Sequence, residues 1–279
     1  MQMNENYFQI KNACSFMRHS SLMPDRKTLL FLHGIGDSSL SYLPFFQTKA
    51  LTEFNILIPD LLGHGKSSKN DDYSFTLQTE TIIKQIMALE NQMGFPFNDL
   101  ILIPHSMASI HAMLICESEM RRQIKGIINV EGSITQYGSF VSEAVFKAVM
   151  HKSFDLWFQE FKDVTVFCEL IKKFPVCRTY YASLLFCHPA AFLQNALEIY
   201  KICVSGTGKY TNVAGKKYTE LDLPKIYCYG DKNKCQESLN FLHEMNLKTK
   251  SFGTANHFIM MQCFDEFTQF IIDWIGSFL

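Results

Sequence analysis

The sequence predicts an α/β fold built on a mostly parallel β-sheet that helices cover on both faces. Short apolar runs of strand length alternate along the chain with longer segments whose apolar residues recur at helical spacing. This alternation is typical of β-α-β units, whose strands are parallel and buried. Of the 279 residues, 47% are hydrophobic and 19% are charged, a balance that suits a large domain with a sizeable core.

The amino-terminal part of the chain supplies the first predicted elements. Residues 7–19 alternate imperfectly between apolar and polar side chains and predict one or two edge strands. The continuous apolar run over 28–32 predicts a buried strand, and residues 54–58 predict the next one. A helix is expected between these strands, over residues 39–50. An apolar stripe over residues 77–93 then predicts a longer amphipathic helix.

The remaining core elements follow the same alternation. Sites in parallel sheets lie at the carboxyl ends of the strands, so the residues that directly follow each predicted strand are the candidates for chemistry. The later elements are predicted as buried strands over residues 100–103, 126–130 and 225–230, a helix over 237–246, a last strand over 248–252, and a carboxyl-terminal amphipathic helix.

A helical segment with no convincing strand separates the two parts of the predicted sheet. Aromatic residues recur there at helical spacing and predict a helical cap over residues 134–205, inserted between core segments 1–133 and 206–279. Most of these aromatic side chains are expected to pack with one another and onto the core. A minority, for which we name Trp157 and Phe158, is expected to face the cleft and make it apolar.

Ser106 is the candidate nucleophile. The apolar run over 100–103 leads directly to this serine, and a segment compatible with a helix follows it. A serine at such a strand-turn-helix junction stands clear of the sheet edge, with the amide of Met107 directed towards the group that the hydroxyl attacks. A serine between a strand and a helix can also act as a helix N-cap, so the rest of the chain must decide.

Four segments resemble the motifs of the α/β-hydrolase fold family. Residues 104–108, P-H-S-M-A, resemble its nucleophile elbow G-x-S-x-G, with proline and alanine at the two outer glycine positions. The pair His33–Gly34 resembles the family's H-G motif, and residues 60–67 resemble its D-x-x-G-x-G-x-S loop. Residues 253–258 resemble its histidine segment before the final helix. The four segments occur in the family's order and span most of the chain.

The resemblance implies a serine hydrolase site. Acyl transfer needs a nucleophile, a base, a carboxylate that orients the base, and donors for the oxyanion. By resemblance, His257 is the base for Ser106, and the backbone amides of Ile35 and Met107 are the oxyanion donors. The other residues expected to contact the substrate in these loops are His33, Gly34 and His105.

The acidic member of the site departs from the family's commonest pattern. That pattern has an aspartate three residues beyond the glycine that ends the penultimate strand, a position held here by Asn233, which carries no charge to stabilise an imidazolium. Two carboxylates remain, Asp231 on the same loop and Glu131 at the end of the strand after the elbow helix, where certain haloalkane dehalogenases place their acid. We favour Glu131, because a carboxylate at a strand's carboxyl end is directed at the cleft. A structural role for Glu131 and a catalytic role for Asp231 both stay open.

The charge and cysteine patterns exclude several classes of protein. The formal net charge is −1 and no run of Lys or Arg exceeds two residues, which argues against nucleic acid and anionic membranes as partners. Nine cysteines without any C-x-x-C spacing indicate a reduced, cytoplasmic protein. The chain has neither a secretory leader nor a run of about eighteen apolar residues, so no membrane span is expected.

No cofactor and no metal are expected. The segment over 206–209 resembles part of a phosphate loop, but Tyr210 stands where serine or threonine is needed, and Cys203 where the first glycine belongs. The pair His243–Glu244 begins an H-E-x-x-H zinc motif, yet Leu247 replaces its second histidine. A small-molecule substrate therefore fits best.

We expect a carboxylesterase that cleaves a small, largely apolar ester through an acyl-enzyme intermediate. A thioesterase, a C–C bond hydrolase or an acyltransferase would use the same three groups. A binding protein with this fold and a decayed site is the alternative outside enzymes, because the elbow is substituted and the usual aspartate is missing. The sequence leaves the oligomeric state open.

Overall fold

The computed structural model describes residues 1–204 and 213–279 of the chain. Its centre is an eight-stranded sheet with helices on both faces, which confirms the predicted fold class. The strands are β1 (Met3–Ile10), β2 (Ala13–Ser20), β3 (Thr28–Leu32), β4 (Asn55–Asp60), β5 (Leu100–Pro104), β6 (Ile124–Val130), β7 (Lys225–Gly230) and β8 (Thr249–Phe252).

The strands are ordered β1-β2-β4-β3-β5-β6-β7-β8 across the sheet. β1 and β2 form an antiparallel hairpin, and β2 is also antiparallel to β4, whereas the remaining pairs are parallel. At the centre, Leu30 of β3 lies opposite both Leu57 of β4 and Leu102 of β5. All five residues of β3 and of β5 are buried, because helices cover both faces of a parallel sheet.

The helices that follow the strands cover the sheet and form the segment between β6 and β7. Two stretches with π-helical hydrogen bonding, Phe161–Ile171 and Tyr200–Val204, continue α5 and α7. The helices are α1 (Pro44–Gln47), α2 (Phe75–Met93), α3 (Ala108–Cys116), α4 (Phe140–Met150), α5 (Phe154–Glu160), α6 (Arg178–Phe186), α7 (Pro189–Ile199), α8 (Val213–Glu220), α9 (Gln236–Glu244), α10 (Ile259–Gln262) and α11 (Phe264–Gly276).

The expected helix over residues 39–50 does not form as one element. The structure has a 3-10 turn at Ser39–Tyr42 and then the single turn of α1, whose first residue is Pro44. A proline has no amide hydrogen and its ring collides with the preceding helical turn, so it starts a helix and does not continue one. Thr48 then adopts an extended conformation and ends α1.

The helical segment from α4 to the stretch at Tyr200–Val204 lies between β6 and β7 in the chain. The predicted boundary between residues 205 and 206 falls outside the described residues, as does the glycine-containing stretch over 206–210. Within the described ranges, no helix is both long and apolar enough to cross a membrane.

The glycine-rich loop after β4 is organised by the buried carboxylate of Asp60. Its Oδ1 accepts a hydrogen bond from the amide of Ser39 at 2.6 Å, and its Oδ2 accepts one from the amide of Lys66 at 2.8 Å. Ser67 donates its hydroxyl to the backbone oxygen of Asp60 at 2.7 Å. Gly65 lies against this carboxylate with a φ of 51°. The loop therefore fastens the end of β4 to the segment that follows β3.

Three histidines are buried in the core and stay neutral in the folded protein. Burial lowers the pKa of His33 to about 4 and the pKa values of His64 and His111 to about 3. The Nε2 atoms of His64 and His111 have no hydrogen-bond partner among the described residues. Burial acts in the opposite sense on the carboxyl group of Asp37, whose pKa it raises to about 7.

We expect Gly65→Ala to lower the free energy of unfolding by about 3 kcal/mol. A Cβ at this position would lie 2.1 Å from Oδ2 of Asp60, so the carboxylate and the loop would have to move. Gly94→Ala is the matched control, because Gly94 also has a positive φ of 78° but has no atom within 4 Å of the added carbon. Its cost is backbone strain alone, about 1 kcal/mol. Urea denaturation measures both losses, and equal losses would contradict the role given to Asp60.

We expect acid to destabilise the protein through its buried histidines, and His111→Leu to relieve part of this loss. Between pH 6.5 and about 4, histidines of the unfolded chain become protonated, whereas the buried imidazoles of the folded protein stay neutral because their pKa values are lower. The unfolded state therefore binds more protons, and the free energy of unfolding falls as the pH falls. Asp37 opposes this trend, since the folded state retains its proton up to about pH 7. From pH 7 to pH 5, the wild type should lose about 2 kcal/mol more stability than the variant.

Urea titrations at the two pH values measure this difference. The control is His243→Gln, which changes an exposed histidine in the last turn of α9 and should keep the acid loss of the wild type. An equal acid loss in His111→Leu and in the wild type would show that the core does not exclude the proton.

Candidate active site

A cavity of about 310 Å³ lies where the carboxyl ends of the central strands meet the helical segment. Residues that follow β3, β5, β6, β7 and β8 line one side of it. The helical segment closes the other side with aromatic residues, namely Phe140, Phe161, Phe174 and Tyr180. The cavity thus combines the polar strand ends with an aromatic wall.

Ser106 lies on this cavity in a left-handed backbone conformation, with a φ of 54°. Its amide donates to the carbonyl of Val130 at 2.8 Å, and the amide of His105 donates to the carbonyl of Leu32 at 2.9 Å. These two hydrogen bonds attach the turn after β5 to the ends of the neighbouring strands β6 and β3. A non-glycine residue with positive φ is a strained position of the kind found at functional sites.

The hydroxyl of Ser106 does not cap the helix that follows. The N-cap residue of α3 is Met107, and no side chain donates or accepts a capping hydrogen bond there. The alternative role considered for this serine, an N-cap, is therefore not the one that the structure gives it.

The loop after β3 runs directly against the serine. A Cβ at Gly34 would lie 3.0 Å from Nδ1 of His105 and 3.2 Å from Cβ of Ser106, so only glycine fits without displacing them. Among the hydrogen bonds of the described residues, none uses the amide of Ile35 or that of Met107 as a donor. Both candidate oxyanion donors are thus unpaired beside the serine.

His257 lies on the same cavity, in the loop between β8 and α10. Its amide donates to Oδ1 of Asn256 at 2.9 Å, and its carbonyl accepts a hydrogen bond from Nε2 of His105 at 3.0 Å. Burial lowers the pKa of His105 well below its usual range, so this ring stays neutral while it donates. Within the described residues, no hydrogen bond joins the His257 ring to the hydroxyl of Ser106.

Glu131 supplies the carboxylate that contacts the ring of His257. Its Oε2 lies 3.8 Å from Nδ1 of His257 and accepts hydrogen bonds from Nδ2 of Asn233 and Nζ of Lys234, both at 3.1 Å. Its Oε1 accepts a hydrogen bond from the amide of Gly230 at 2.7 Å. Glu131 itself has a φ of 51°, which turns the chain at the end of β6.

The charges around Glu131 keep it ionised. Burial alone would raise the pKa of this carboxyl group, but the ammonium of Lys234, the nearby ring of His257 and the amide of Gly230 outweigh burial and lower the pKa to about 2. Burial would likewise lower the pKa of Lys234, but the hydroxyl of Tyr227 and the carboxylate of Glu131 raise it above its usual range. The two groups form a buried ion pair.

The alternative acid, Asp231, lies elsewhere. It is exposed, its amide donates to the carbonyl of Phe252 at 3.4 Å, and its Oδ2 would lie 3.6 Å from a Cβ placed on Gly253. Of the two carboxylates that the sequence offered, Glu131 is the one in contact with the imidazole.

Two neighbours of Glu131 were not expected to have a role. Asn233 cannot replace an acid, but its amide nitrogen lies 3.1 Å from Oε2 of Glu131 and 3.4 Å from Nδ1 of His257, between the two groups. Lys234 belongs to no motif, and its partner lies 103 residues away in the chain. In the sequence, the only sign of this contact is that a lysine directly follows Asn233, which holds the position of the family's usual aspartate.

The residues expected to contact the substrate do not all lie on the cavity. Gly34, Ile35 and His105 line the cavity, but His33 does not. Nε2 of His33 accepts a hydrogen bond from the amide of Leu61 at 3.0 Å, and Nδ1 therefore donates to the carbonyl of Gly34 at 2.9 Å. Both ring nitrogens of His33 are used to hold the loop, so we correct its expected place on the cavity wall.

Trp157 and Phe158 also lie off the cavity wall. Their ring centroids are 6.2 Å and 4.7 Å from that of Phe192 on α7, in an aromatic cluster behind the wall. The next turn of the helix supplies Phe161, which does line the cavity. Helical spacing predicted the aromatic face but not which of its members reaches the cavity.

No group of three or more His, Cys, Asp or Glu side chains in the described part of the chain is placed to hold a metal ion. The site places a strained serine and an imidazole on one cavity, with a buried carboxylate beside the imidazole, and these are the kinds of group that acyl transfer uses.

The comparison with known proteins agrees with this architecture. A sequence profile described as alpha/beta hydrolase fold matches residues 27–165. The chain belongs to the α/β-hydrolase fold family. Among curated protein sequences, none matches the chain significantly.

Solved structures with the same fold cover nearly the whole chain. An enol-lactonase from Burkholderia xenovorans LB400 superposes with a TM-score of 0.74 at 12% identity, over 97% of this chain and 100% of its own. An esterase from Exiguobacterium antarcticum gives 0.69 at 12%, over 97% and 98%. The thioesterase domain from the curacin biosynthetic pathway gives 0.66 at 16%, over 98% and 100%. At these identities the likeness shows the fold alone.

Proposed function

We propose that the protein is a serine hydrolase, a carboxylesterase that cleaves a small, largely apolar ester through an acyl-enzyme intermediate. One observation carries the proposal. Ser106, in a strained turn beside two unpaired amides, shares a cavity with His257, whose ring is backed by the buried carboxylate of Glu131. These are the groups that acyl transfer needs, arranged around one space.

In this mechanism His257 removes the proton from the hydroxyl of Ser106, and the oxygen attacks the ester carbonyl. The amides of Ile35 and Met107 bind the oxyanion that forms. The imidazolium is stabilised by Glu131 and returns its proton to the leaving alcohol. Water, activated by the neutral imidazole, then releases the acid from the serine.

The missing hydrogen bond between Ser106 and His257 is compatible with this mechanism. Such bonds are often long in the absence of substrate and tighten when the complex forms. The backbone of His257 is held by His105 and Asn256, and both His257 and Ser106 line the cavity.

The cavity supports a small apolar acyl group. Its aromatic wall is made by Phe140, Phe161 and Phe174, and about 310 Å³ accommodates a compact substrate. We propose that the segment over 134–205, which the structure describes as far as residue 204, is the cap that supplies this wall. None of the nine cysteines, all of which lie in the described residues, forms a disulfide, which suits a reducing compartment, so we propose a cytoplasmic location.

A thioesterase, a C–C bond hydrolase and an acyltransferase remain alternatives with the same three groups. The esterase, enol-lactonase and thioesterase domain that share this fold are named for reactions at activated carbonyl groups. Turnover of a panel of oxygen esters and thioesters of increasing acyl length separates these activities.

We expect a fluorophosphonate probe to label the wild type and not Ser106→Ala, because the probe phosphonylates an activated serine hydroxyl. Mass spectrometry of the labelled peptide measures the site. Ser277→Ala, which changes an exposed serine after α11, is the control and should be labelled like the wild type. Folded wild-type protein that takes no label would support the binding protein in place of the enzyme.

We expect Glu131→Gln to lower kcat by about a factor of 10²–10⁴, because the neutral amide no longer stabilises the imidazolium. Asp231→Asn should change kcat by less than about twofold, since Asp231 is exposed and away from the ring. Steady-state kinetics on a p-nitrophenyl ester measures both, with near-UV circular dichroism to confirm folding. The reverse ranking would transfer the acidic role to Asp231.

A further inference from the structure

Lys234 is a buried cation that the proposed mechanism does not use. Its side chain is only 6% exposed, and its partner Glu131 is 1% exposed. Removing a charge from water is costly, so a lysine at such a position must be compensated by its neighbours. The contacts of the Lys234 ammonium indicate the role of its charge.

The ammonium of Lys234 is fixed from two sides. It donates to Oε2 of Glu131 at 3.1 Å and to the hydroxyl of Tyr227 at 2.7 Å. Tyr227 in turn donates its own proton to the carbonyl of Gly132 at 2.8 Å, directly after Glu131. The Nζ atom also lies 4.7 Å from the centroid of the Tyr227 ring. Lys234 therefore holds both the side chain and the following peptide of Glu131.

The oxygen that Lys234 contacts is the one that faces His257. Oε2 of Glu131 is shared by Lys234, Asn233 and, at 3.8 Å, Nδ1 of His257. Because the ammonium and the imidazole meet the same oxygen, the positive charge of Lys234 partly cancels the negative charge that Glu131 presents to the ring. The amide of Gly230 and Nδ2 of Asn233 also stabilise the ionised form of Glu131. An ionised Glu131 without the ammonium would favour a protonated imidazole more strongly.

We propose that Lys234 is a positioning residue which orients the carboxylate of Glu131 and offsets part of the negative charge that this carboxylate presents to the ring of His257. This inference rests on the proposed function, in which His257 must be neutral to accept a proton. The acidic member of the site is then the ion pair of Glu131 and Lys234.

Other titratable groups near the ring do not duplicate this role. His105, packed against His257 with ring centroids 4.8 Å apart, stays neutral because burial lowers its pKa. Asp37, Glu169 and Lys173 also line the cavity, but among the described residues they form no hydrogen bond or ion pair with His257 or Glu131. On the loop of Lys234 itself, the charged neighbours Asp231 and Lys232 are exposed.

The test measures the protonation of the His257 ring by NMR and, separately, the rate of fluorophosphonate labelling from pH 5 to pH 9. Lys234→Gln removes the charge but keeps a donor for Glu131, and Lys234→Met is a second neutral variant. Lys234→Arg keeps the charge. Lys232→Gln removes an exposed charge from the same loop and is the matched control. His257→Gln assigns the resonance, and thermal unfolding confirms that each variant is folded.

In Lys234→Gln or Lys234→Met, the midpoint of His257 protonation and the acid limb of the labelling rate should both move up by about one pH unit. Lys234→Arg should restore the wild-type midpoint, and Lys232→Gln should not change it. A wild-type midpoint in the folded neutral variants would overturn the inference and leave Lys234 a structural residue.

The two proposals fail separately. A wild type that takes no label contradicts the hydrolase, while the NMR midpoint still decides the effect of Lys234. A wild type that is labelled, with unchanged midpoints in both neutral variants, supports the hydrolase and rejects the role of Lys234. If neither neutral variant folds, a Lys234→Arg protein with a midpoint shifted by a full unit would reject a role based on charge.

Discussion

The geometry of the candidate site depends on the hydrogen bonds that join the turn after β5 to the ends of the two neighbouring strands, β3 and β6. The amide of Ser106 donates to Val130 at the end of β6, and the amide of His105 donates to Leu32 at the end of β3. Parallel strands end at one edge, so both acceptors are within reach of a single turn. These bonds hold Ser106 in a left-handed conformation that an isolated chain would rarely adopt.

The buried charges at this edge are balanced locally. Glu131 receives hydrogen bonds from Gly230, Asn233 and Lys234, which come from the end of β7 and the loop after it. A carboxylate and an ammonium at such depth are stable because each is the partner of the other and because Tyr227 accepts a second hydrogen bond from the ammonium. The same contacts that stabilise the ion pair also bring the carboxylate to His257.

Much of the fold could be predicted because its strands are buried on both faces. The runs over Thr28–Leu32 and Lys225–Gly230 form strands with the predicted bounds. Short, largely apolar stretches of this length are typical of strands that helices cover on both faces. The helix expected over residues 39–50 was wrong because Pro44 begins a new turn there. Periodicity also could not decide which of Trp157, Phe158 and Phe161 reaches the cavity, because that depends on how α5 packs against α7.

The sequence by itself determined the fold family, the position of the serine between a strand and a helix, and the placement of a histidine before the final helix, because each of these is encoded by residues close together in the chain. Only the tertiary structure decided which carboxylate meets His257, and it brought Lys234 and Asn233 to that carboxylate. The reason is distance along the chain, since Glu131 lies 103 residues from Lys234 and 102 from Asn233. Contacts between residues so far apart in the chain form only when β6 and β7 pair in the sheet, and no pattern of neighbouring residues in the sequence predicts them.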